Sequence, residues 1–518
     1  MNVPSIAMIP AIERDDQETL NSHILLRVIV LLAIVLRFFY LIELQFNPLP
    51  LYVSQMKGFD QEIYVSLAHD LLAHGWLGSK ITSQSPAYAY LIAVLFRLFG
   101  PTLNSIFIFQ MAFGILSIYT FYKAARLLFE NTNIGLLAAF IAAVYSPFIY
   151  YEGVTLREIM IAYFNLLSFY LLLTAIKKGR IRYFGGGGLA VGLSAILRSN
   201  VLVAVLTPYI LTVVRKSFKV KILAVLLFLL GVALAVAPLA IRNKMVGYKA
   251  IIETSEPFVF WSSNVFYATG VGGRSTPYQD QLTQETQGKI GKIVKTFIRE
   301  IRKYPVAYRE LFARKFKLLF NAYEVPANLS YDLFRENSKI LKIAFCNFAV
   351  ISPVGISGFF LVLLRRLPCR GLFLTYFLTL TAFVFLFHIQ SRMRILVVPF
   401  FIILAAYSLY WMVDMLKRKK ICAFFCALLF LVAAGFFTKS DEHIIKRIFI
   451  SRIRPMDYMN MANAYLHQYR LQEGTLSLSQ KQAIIAKAQE YYRKGLEVTP
   501  LKEKEKWQLP PFLKDRHL

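Results

Sequence analysis

The chain has 518 residues, of which 57% are hydrophobic and 17% charged, and its formal net charge is +29 at pH 7. Apolar runs repeatedly reach the length that a helix needs to cross about 30 Å of hydrocarbon, which indicates a polytopic α-helical membrane protein. The basic residues fall mostly in short clusters between these runs, so the charge reflects membrane topology and nucleic acid is excluded as a partner. The four cysteines show neither a disulfide framework nor a metal-site spacing.

The amino-terminal region combines a polar tail, residues 1–23, with a first apolar run from Ile24 to Glu43. This run is longer than the core of a typical signal peptide and has no clear small-residue cleavage site. It therefore predicts a first membrane span that is retained, with a cytoplasmic tail before it.

An acidic amphipathic stretch from Gly58 to Gly75 follows the first span. Its apolar residues recur at helical spacing, which predicts a helix on the membrane surface. Asp60 either caps this helix or acts as a functional carboxylate, and Gly75 is expected to end the helix. Asp70 is interpreted as a solvated surface residue.

The next apolar segment, residues 87–99, has 13 residues and spans about 20 Å as a helix, which is too short to cross a membrane. It is predicted to lie on the membrane surface. Together with the amphipathic stretch it forms a large first outer loop, residues 45–102.

Basic loops at residues 177–182, 215–221, 365–370 and 417–420 are predicted to be cytoplasmic, with a weaker fifth at 123–126. This choice gives eleven spans, with the amino terminus inside, a second large outer loop at 242–339 and an outer tail at 438–518. The spans fall near residues 24–44, 103–122, 134–151, 159–176, 183–197, 200–214, 220–241, 340–364, 371–388, 395–413 and 421–437.

The predicted topology places the unusual polar residues on one side of the membrane. Charged groups at this depth are costly unless they line a wet cavity or pair with one another, so they mark a functional site. Acids and arginines that converge there indicate a pocket for a lipid-borne phosphate, with a carboxylate for proton transfer. The set comprises Asp60, Glu62, Glu152, Arg157, Glu158, Arg198, Arg242, Asn243, Arg392 and Arg394.

Each of these residues also has a simpler interpretation. An acid such as Glu158 is favourable at a helix amino terminus without any function, and Arg157 could merely pair with Glu152 or Glu158. Arg392 and Arg394 could be snorkelling anchors at a span boundary. However, arginines in a short outer loop run against the positive-inside rule, which favours a phosphate-binding role.

The loop at 242–339 is rich in Gly, Asn and Ser and is predicted to be a structured loop that could cover a cavity. The glycine run at 185–188 predicts close helix packing. The tail from about Ser451 resembles a tetratricopeptide helix pair. Since a single repeat cannot bury its apolar face alone, the tail must dock on the membrane domain, dimerise or hold a partner protein.

Several short motifs occur in a characteristic order between residues 24 and 437. Together they resemble the GT-C glycosyltransferases, specifically the bacterial relatives of the protein O-mannosyltransferases and of the lipid A aminoarabinose transferase. The motifs are Asp60 with Tyr64 and Ala68, Pro86-Ala87-Tyr88, Phe99-Gly100, Tyr145-Ser146-Pro147 with Glu158, Leu197-Arg198, Ile241-Arg242-Asn243 with Gly247, Asn264 and Gly270, and Arg392-Met393-Arg394 with Pro399.

This resemblance implies a GT-C-like catalytic domain, residues 24–437, in the cytoplasmic membrane of a bacterium. It implies transfer of a sugar from a polyprenyl-phosphate donor to an acceptor hydroxyl on the extracytoplasmic side, with inversion. Asp60 would be the general base or orient the acceptor, with a pKa that burial can raise, and Glu158 would assist. The implied substrate-binding residues are Glu62, Tyr64, Arg157, Arg198, Arg242, Asn243, Asn264, Arg392 and Arg394.

Some relatives carry a metal-ligating acid just before the proline of the second motif, where this chain has Gln84-Ser85-Pro86. No metal ligand is therefore expected there, although a divalent metal ion elsewhere stays open. The acceptor is a protein, a lipid or a glycan. Two other functions stay open: a transporter or flippase of lipid-linked sugars, which would favour acids near the bilayer midplane and internal repeats, and an assembly factor whose tail recruits a partner.

Overall fold

The computed structural model describes residues 9–500 apart from positions 81, 200, 215–216, 249, 254, 273–275, 366 and 440–447. Side chains are described from Asn21 onward, except that of Glu256. The regular structure of this part of the chain is helical, as predicted, and its one isolated backbone bridge pairs Tyr145 with Cys346. Residues 1–8, Asn200 of the predicted outer turn, and residues 440–447 and 501–518 of the predicted tail lie outside the described residues.

The described part of the chain contains 24 helices, numbered here in chain order. The first eleven are α1 (Ile9–Gln45), α2 (Leu49–Gln55), α3 (Asp60–His74), α4 (Ala87–Phe99), α5 (Leu103–Phe129), α6 (Thr132–Ala143), α7 (Ser146–Glu152), α8 (Glu158–Lys178), α9 (Arg182–Leu197), α10 (Leu202–Val213) and α11 (Phe218–Met245). The next six are α12 (Glu256–Asn264), α13 (Pro277–Thr286), α14 (Ile290–Lys303), α15 (Pro305–Phe320), α16 (Tyr331–Asn337) and α17 (Lys339–Ile343). The last seven are α18 (Phe348–Leu364), α19 (Arg370–Leu386), α20 (Ser391–Arg394), α21 (Val398–Lys417), α22 (Ile421–Lys439), α23 (Pro455–Gln472) and α24 (Leu478–Val498).

Six helices in the described part of the chain are long and apolar enough to cross a membrane: α1, α5, α8, α11, α21 and α22. Each coincides with a predicted span. The other five predicted spans overlap shorter helices, namely α6, α9, α10, α18 and α19. The polytopic, all-helical architecture is thus confirmed, and the count of eleven spans stays a prediction.

Two predicted spans have the wrong bounds. The span at 134–151 is broken, because α6 ends at Ala143 and α7 starts at Ser146, whose backbone N–H donates to the carbonyl of Cys346 at 2.8 Å. The span at 340–364 starts only at Phe348, because the separate short helix α17 precedes it. Pro147, at the start of α7, has no N–H to continue a helix from α6.

The first outer loop contains three helices, the short α2 and the packed pair α3 and α4. Helix α4 has the bounds predicted for the short apolar segment, and α3 ends at Gly75, whose φ of 76° is the backbone conformation that favours glycine. The apolar stripe of α3 is buried within the protein, where Tyr64 meets Tyr88 of α4 with 5.1 Å between ring centroids. Helix α3 is therefore held in a fixed position relative to the spans.

Helices α9 and α11 approach each other closely along glycines. A Cβ atom at Gly188 would overlap the carbonyl oxygen of Phe228, and one at Gly231 would overlap that of Gly185. The predicted close packing at the glycine run is confirmed. Because α9 ends at Leu197, this contact also fixes where Arg198 lies.

The second outer loop contains helices α12 to α15, whose aromatic and aliphatic side chains form a small core around Trp261 and Tyr308. Lys315 of α15 is fully buried and donates to Asn264 Oδ1 at 2.7 Å and to the carbonyls of Phe385 and Phe387, each at 3.1 Å. This lysine thus ties the loop to the carboxyl end of α19.

The tail helices α23 and α24 pack on each other through small residues and dock on the membrane domain. Tyr491 donates to Asn337 Oδ1, and His467 lies 2.6 Å from Gln55 Oε1 of α2. Of the three ways in which the tail could bury its apolar face, the structure shows docking.

Candidate active site

A charged cavity of about 270 Å³ lies where the first outer loop, the second outer loop and the segment after α19 meet. Five of the residues predicted for the site line it, together with residues that the sequence did not indicate. The lining comprises Asp60, Tyr64, Ser83, Gln84, Arg157, Arg198, Glu253, Ser255, Phe258, Val259, Phe383, Phe387, His388, Arg392 and Met393.

Asp60 is the first residue of α3, but it does not cap that helix. The cap position is Phe59, and the Asp60 carboxylate is used by other partners. Gln84 Nε2 donates to Asp60 Oδ1 at 3.0 Å, and Arg392 Nη1 donates to Oδ2. The functional interpretation of this carboxylate therefore gains support over the capping one.

The expected rise in the pKa of Asp60 is wrong. Burial alone would raise this pKa, but the charge of Arg392 and the hydrogen bonds from Arg392 and Gln84 outweigh burial and lower it to about 2. Asp60 is therefore an anion whose proton affinity is suppressed as long as Arg392 stays paired with it.

Arg392 belongs to the short helix α20 between two membrane helices. Its Nε donates to Gln390 Oε1 at 3.2 Å, and its side chain is 14% exposed. Burial lowers the pKa of Arg392, but the negative charges of Asp60 and Glu158 raise it by more, so the guanidinium stays charged. Of its three nitrogens, Nη2 makes no hydrogen bond among those formed by the described residues.

Two further buried ion pairs flank Arg392. Arg157, just before α8, bonds the carbonyl of Leu197 and Glu253 Oε2, the latter at 3.3 Å. Arg198, just after α9, donates to Glu158 Oε1 at 3.2 Å. Burial would raise the pKa of Glu253, but Arg157 and Arg198 lower it, so Glu253 is anionic. Arg157 does not pair with Glu152 or Glu158.

The site therefore contains three guanidinium groups and three carboxyl groups in contact: Arg157, Arg198, Arg392, Asp60, Glu158 and Glu253. Three positive and three negative groups give a balanced cluster. An anionic ligand that binds these arginines competes with their carboxylates. A phosphate, which accepts bidentate hydrogen bonds from arginine, is suited to that exchange.

Glu158 does not line this cavity; it is 1% exposed and contacts Arg198, which does. Four predicted residues that are not acids also lie outside the lining. Arg242 donates to the carbonyl of Leu77 at 2.7 Å, and Asn243 donates to the carbonyl of Ile251 at 3.1 Å. These two residues hold the loops that carry Gln84 and Glu253 rather than reaching the cavity themselves. Asn264 is fully buried and binds Lys315 and the carbonyl of Leu386, and so supports the segment that follows α19.

Arg394 is the fourth, although it lies only two residues from Arg392. It is 2% exposed and pairs with Glu324 Oε2 at 2.9 Å. It also donates to the carbonyls of Asn321 and Tyr323, and stacks over the ring of Phe348. Arg394 thus holds the end of α15 against α18 and is unavailable to a phosphate.

Two other predicted acids lie elsewhere. Glu62 lines a separate, open groove of about 860 Å³ between the first outer loop and α23. Glu152 is fully buried against Arg37 of α1, with 2.7 Å between Oε2 and Nε. Asp70, expected to be solvated, is buried and accepts hydrogen bonds from the N–H groups of Ser79 and Lys80.

Sequence reasoning missed Gln84, Glu253 and His388. Glu253 lies in the second outer loop and His388 at the end of the predicted span 371–388, but neither belongs to a motif or to a periodic apolar pattern that would indicate a site. Gln84 was noted only as a missing metal ligand, yet it donates directly to Asp60. Among the described residues, no group of three or more His, Cys, Asp or Glu side chains is arranged to hold a metal ion.

Residues 83–241 match the family model of the dolichyl-phosphate-mannose-protein mannosyltransferases. This match confirms the resemblance to the GT-C glycosyltransferases. It covers Arg157, Glu158 and Arg198 of the charged cluster, and also Gln84, which donates to Asp60. No curated protein matches the chain.

Two solved structures of the oligosaccharyltransferase from Archaeoglobus fulgidus are similar in fold. One is the archaeal oligosaccharyltransferase AglB in complex with an inhibitory peptide and a dolichol-phosphate, with 15% identity, a TM-score of 0.48 and coverage of 96% of this chain and 62% of that chain. The other is the apo form, with 14% identity, a TM-score of 0.47 and coverage of 95% and 61%. This chain thus spans about three fifths of the length of those proteins.

Proposed function

We propose that the protein transfers a sugar from a polyprenyl-phosphate donor to an acceptor hydroxyl, with inversion, at the extracytoplasmic face of a bacterial cytoplasmic membrane. The observation that carries this proposal is the contact between Asp60 and Arg392 in a cavity also lined by Arg157 and Arg198. The family of the matching model is named for a lipid-phosphate-linked sugar donor and a protein acceptor. The cavity is suited to both, because its arginines can bind a phosphate and Asp60 can accept a hydrogen bond from a hydroxyl of the acceptor.

The donor phosphate would bind Arg392 and Arg198. Attack on the anomeric carbon breaks the bond to the phosphate oxygen, which takes the electron pair and gains negative charge. Arginines already fixed in a site with little water stabilise that charge most effectively. Gln390 binds Arg392 through Nε, so this arginine keeps its place when its terminal nitrogens bind the phosphate. Arg198 is positioned by its ion pair with Glu158 before the donor binds.

Asp60 would take the proton of the acceptor hydroxyl as general base, or orient that hydroxyl for attack. When the donor phosphate takes Arg392, Asp60 loses the partner that lowers its pKa most, and its pKa rises towards the ordinary value for aspartate. Donor binding would thus convert Asp60 from a paired anion into a hydrogen-bond acceptor for the incoming hydroxyl. Glu158, which holds Arg198, would assist through that arginine.

The test compares Asp60→Asn with a control, Glu310→Gln, in the exposed part of α15. Purified full-length protein in nanodiscs receives undecaprenyl-phosphate mannose, glucose or arabinose with envelope extract, and products are followed by mass shift. We expect Asp60→Asn to lower transfer about 100-fold or more, because the hydroxyl loses its acceptor group. It should bind undecaprenyl phosphate at least as tightly as the wild type, because Arg392 is freed.

Full transfer by the Asp60→Asn variant would refute the role of Asp60. Movement of the lipid-linked sugar across a sealed vesicle, without a mass shift on any acceptor, would instead favour the flippase. Loss of transfer in the Glu310→Gln control would show that the assay reports stability rather than chemistry.

A further inference from the structure

His388 is a buried residue of the cavity that has no part in the mechanism above. It follows the end of α19, is 8% exposed and lines the cavity beside Arg392. Its ring packs against Gly272, which has a φ of 81°, and a Cβ atom there would lie 2.8 Å from the ring. The glycine therefore allows an approach that a larger residue would block.

The hydrogen bonds of Ser262 decide which ring nitrogen of His388 carries the proton. The Ser262 hydroxyl donates to the carbonyl of Val259 at 2.9 Å, and its Oγ lies 2.8 Å from His388 Nε2. A hydroxyl has one proton, and a carbonyl can only accept. With the Ser262 proton on the Val259 carbonyl, Nε2 donates to Ser262 and Nδ1 is the nitrogen of the neutral imidazole that carries no proton.

Nδ1 is buried and has no hydrogen-bond partner among the described residues. A buried acceptor without a partner costs free energy, and such groups are uncommon in folded proteins. The ring is held by the contact of Nε2 with Ser262 and by Gly272 against its face. A group that enters the cavity from outside is what can supply the missing donor.

We propose that Nδ1 of His388 accepts a hydrogen bond from a hydroxyl group of the substrate in the cavity. The arginines and carboxylates of the cavity are suited to a phosphate and to one reacting hydroxyl. Nδ1 of His388, a neutral acceptor, is suited to a hydroxyl that is bound but does not react. The hydroxyl belongs either to the donor sugar or to the acceptor. This inference rests on the function proposed above and adds a residue that recognises the substrate.

Three variants separate a contact with substrate from a structural role. His388→Asn keeps an oxygen near the place of Nδ1 and loses the contact with Ser262. His388→Gln keeps a group near Nε2 and loses the acceptor at Nδ1. His388→Phe keeps the ring against Gly272 and loses both nitrogens. A substrate contact predicts that His388→Asn retains most activity, and that the other two lose about tenfold in kcat/KM.

Binding of two probes to full-length protein in nanodiscs identifies the source of the hydroxyl. If the donor sugar supplies it, His388→Phe weakens binding of undecaprenyl-phosphate mannose about tenfold and leaves that of undecaprenyl phosphate unchanged. If the acceptor supplies it, both affinities stay unchanged and the KM for the acceptor rises about tenfold. Either result supports the inference.

Retention of wild-type kcat/KM by His388→Phe overturns the inference. A higher activity of His388→Gln than of His388→Asn also overturns it, because that order shows that the contact of Nε2 with Ser262 matters and the acceptor at Nδ1 does not. A wild-type protein that binds neither probe refutes the proposed function, and the inference falls with it. In all variants, an unchanged melting temperature shows that the fold is intact.

Discussion

Arg392 and Arg394 are two residues apart on one short helix, yet they lie in two different regions of the molecule. Arg392 lines the charged cavity, with its side chain 14% exposed and one nitrogen without a partner among the described residues. Arg394 is 2% exposed and shares its two terminal nitrogens among Glu324 and two backbone carbonyls. One arginine is available to a ligand, and the other holds helices together.

The difference shows that charge at the membrane face does not by itself identify a binding residue. Both arginines run against the positive-inside rule, and that rule cannot tell them apart. What separates them is the number of partners that the fold already supplies. An arginine whose two terminal nitrogens are both bound within the fold contributes to stability, whereas one paired with a single carboxylate can exchange that carboxylate for a phosphate.

The largest effect should follow removal of the buried arginine. Arg394→Gln leaves Glu324 buried without its cation, so we expect the free energy of unfolding to fall by about 3–5 kcal/mol. Thermal unfolding of the detergent-solubilised protein measures this loss. The double variant Arg394→Met with Glu324→Leu should recover part of it, because no charge is then left unpaired. A melting temperature unchanged by Arg394→Gln would contradict the structural role.

Removal of the cavity arginine should act on function instead. Arg392→Gln is expected to lower sugar transfer about 100-fold to 1,000-fold and to weaken binding of undecaprenyl phosphate. The loss of stability should be smaller than for Arg394→Gln, because the Asp60 side chain is 21% exposed and keeps the hydrogen bond from Gln84. Arg302→Gln, at an exposed arginine of α14, is the control and should match the wild type. Equal binding of the carrier by Arg392→Gln would remove the distinction between the two arginines.

The smallest effect concerns pH. The pKa of Asp60 is lowered to about 2 in the folded protein, against about 3.9 for an unperturbed aspartate. The stabilising contribution of its pair with Arg392 is therefore complete above the unperturbed value and is lost only as the pH falls towards 2. Between pH 5 and 8, the difference in melting temperature between the wild type and Asp60→Asn should stay constant. If this difference in melting temperature shrinks as the pH falls through 6, Asp60 takes up a proton in that range and is not held as an anion by Arg392.

Much of the fold could be predicted, because helix length and apolar periodicity are local properties of the sequence. The short helix at 87–99 and the end of α3 at Gly75 follow from segment length and from a single glycine. Pro147 marks the break between α6 and α7 locally, but the chain direction there also depends on a carbonyl of Cys346, 200 residues away in the chain. Only the folded structure brings that carbonyl to Ser146.

The candidate site was predicted in part, and for a similar reason. Arg157, Arg198 and Arg392 are arginines next to span ends, where the free-energy cost of a charge is evident from sequence alone. Asp60 was found as an acid at the start of the amphipathic helix in the first outer loop. Arg242, Asn243 and Asn264 were grouped with them because their main partners, backbone carbonyls and the distant Lys315, leave no pattern in the sequence. Glu253, in an irregular loop, was missed because no periodicity marks it.

The contact between Asp60 and Arg392 also has a consequence for biosynthesis. The two residues are 332 positions apart, so the ribosome must complete most of the membrane domain before the pair can form. Until then, Asp60 lacks the cation that neutralises it, and the cavity lacks one wall. A nascent or truncated chain that ends before α20 therefore has no complete site, and any activity at this cavity would begin only once the late spans have been inserted.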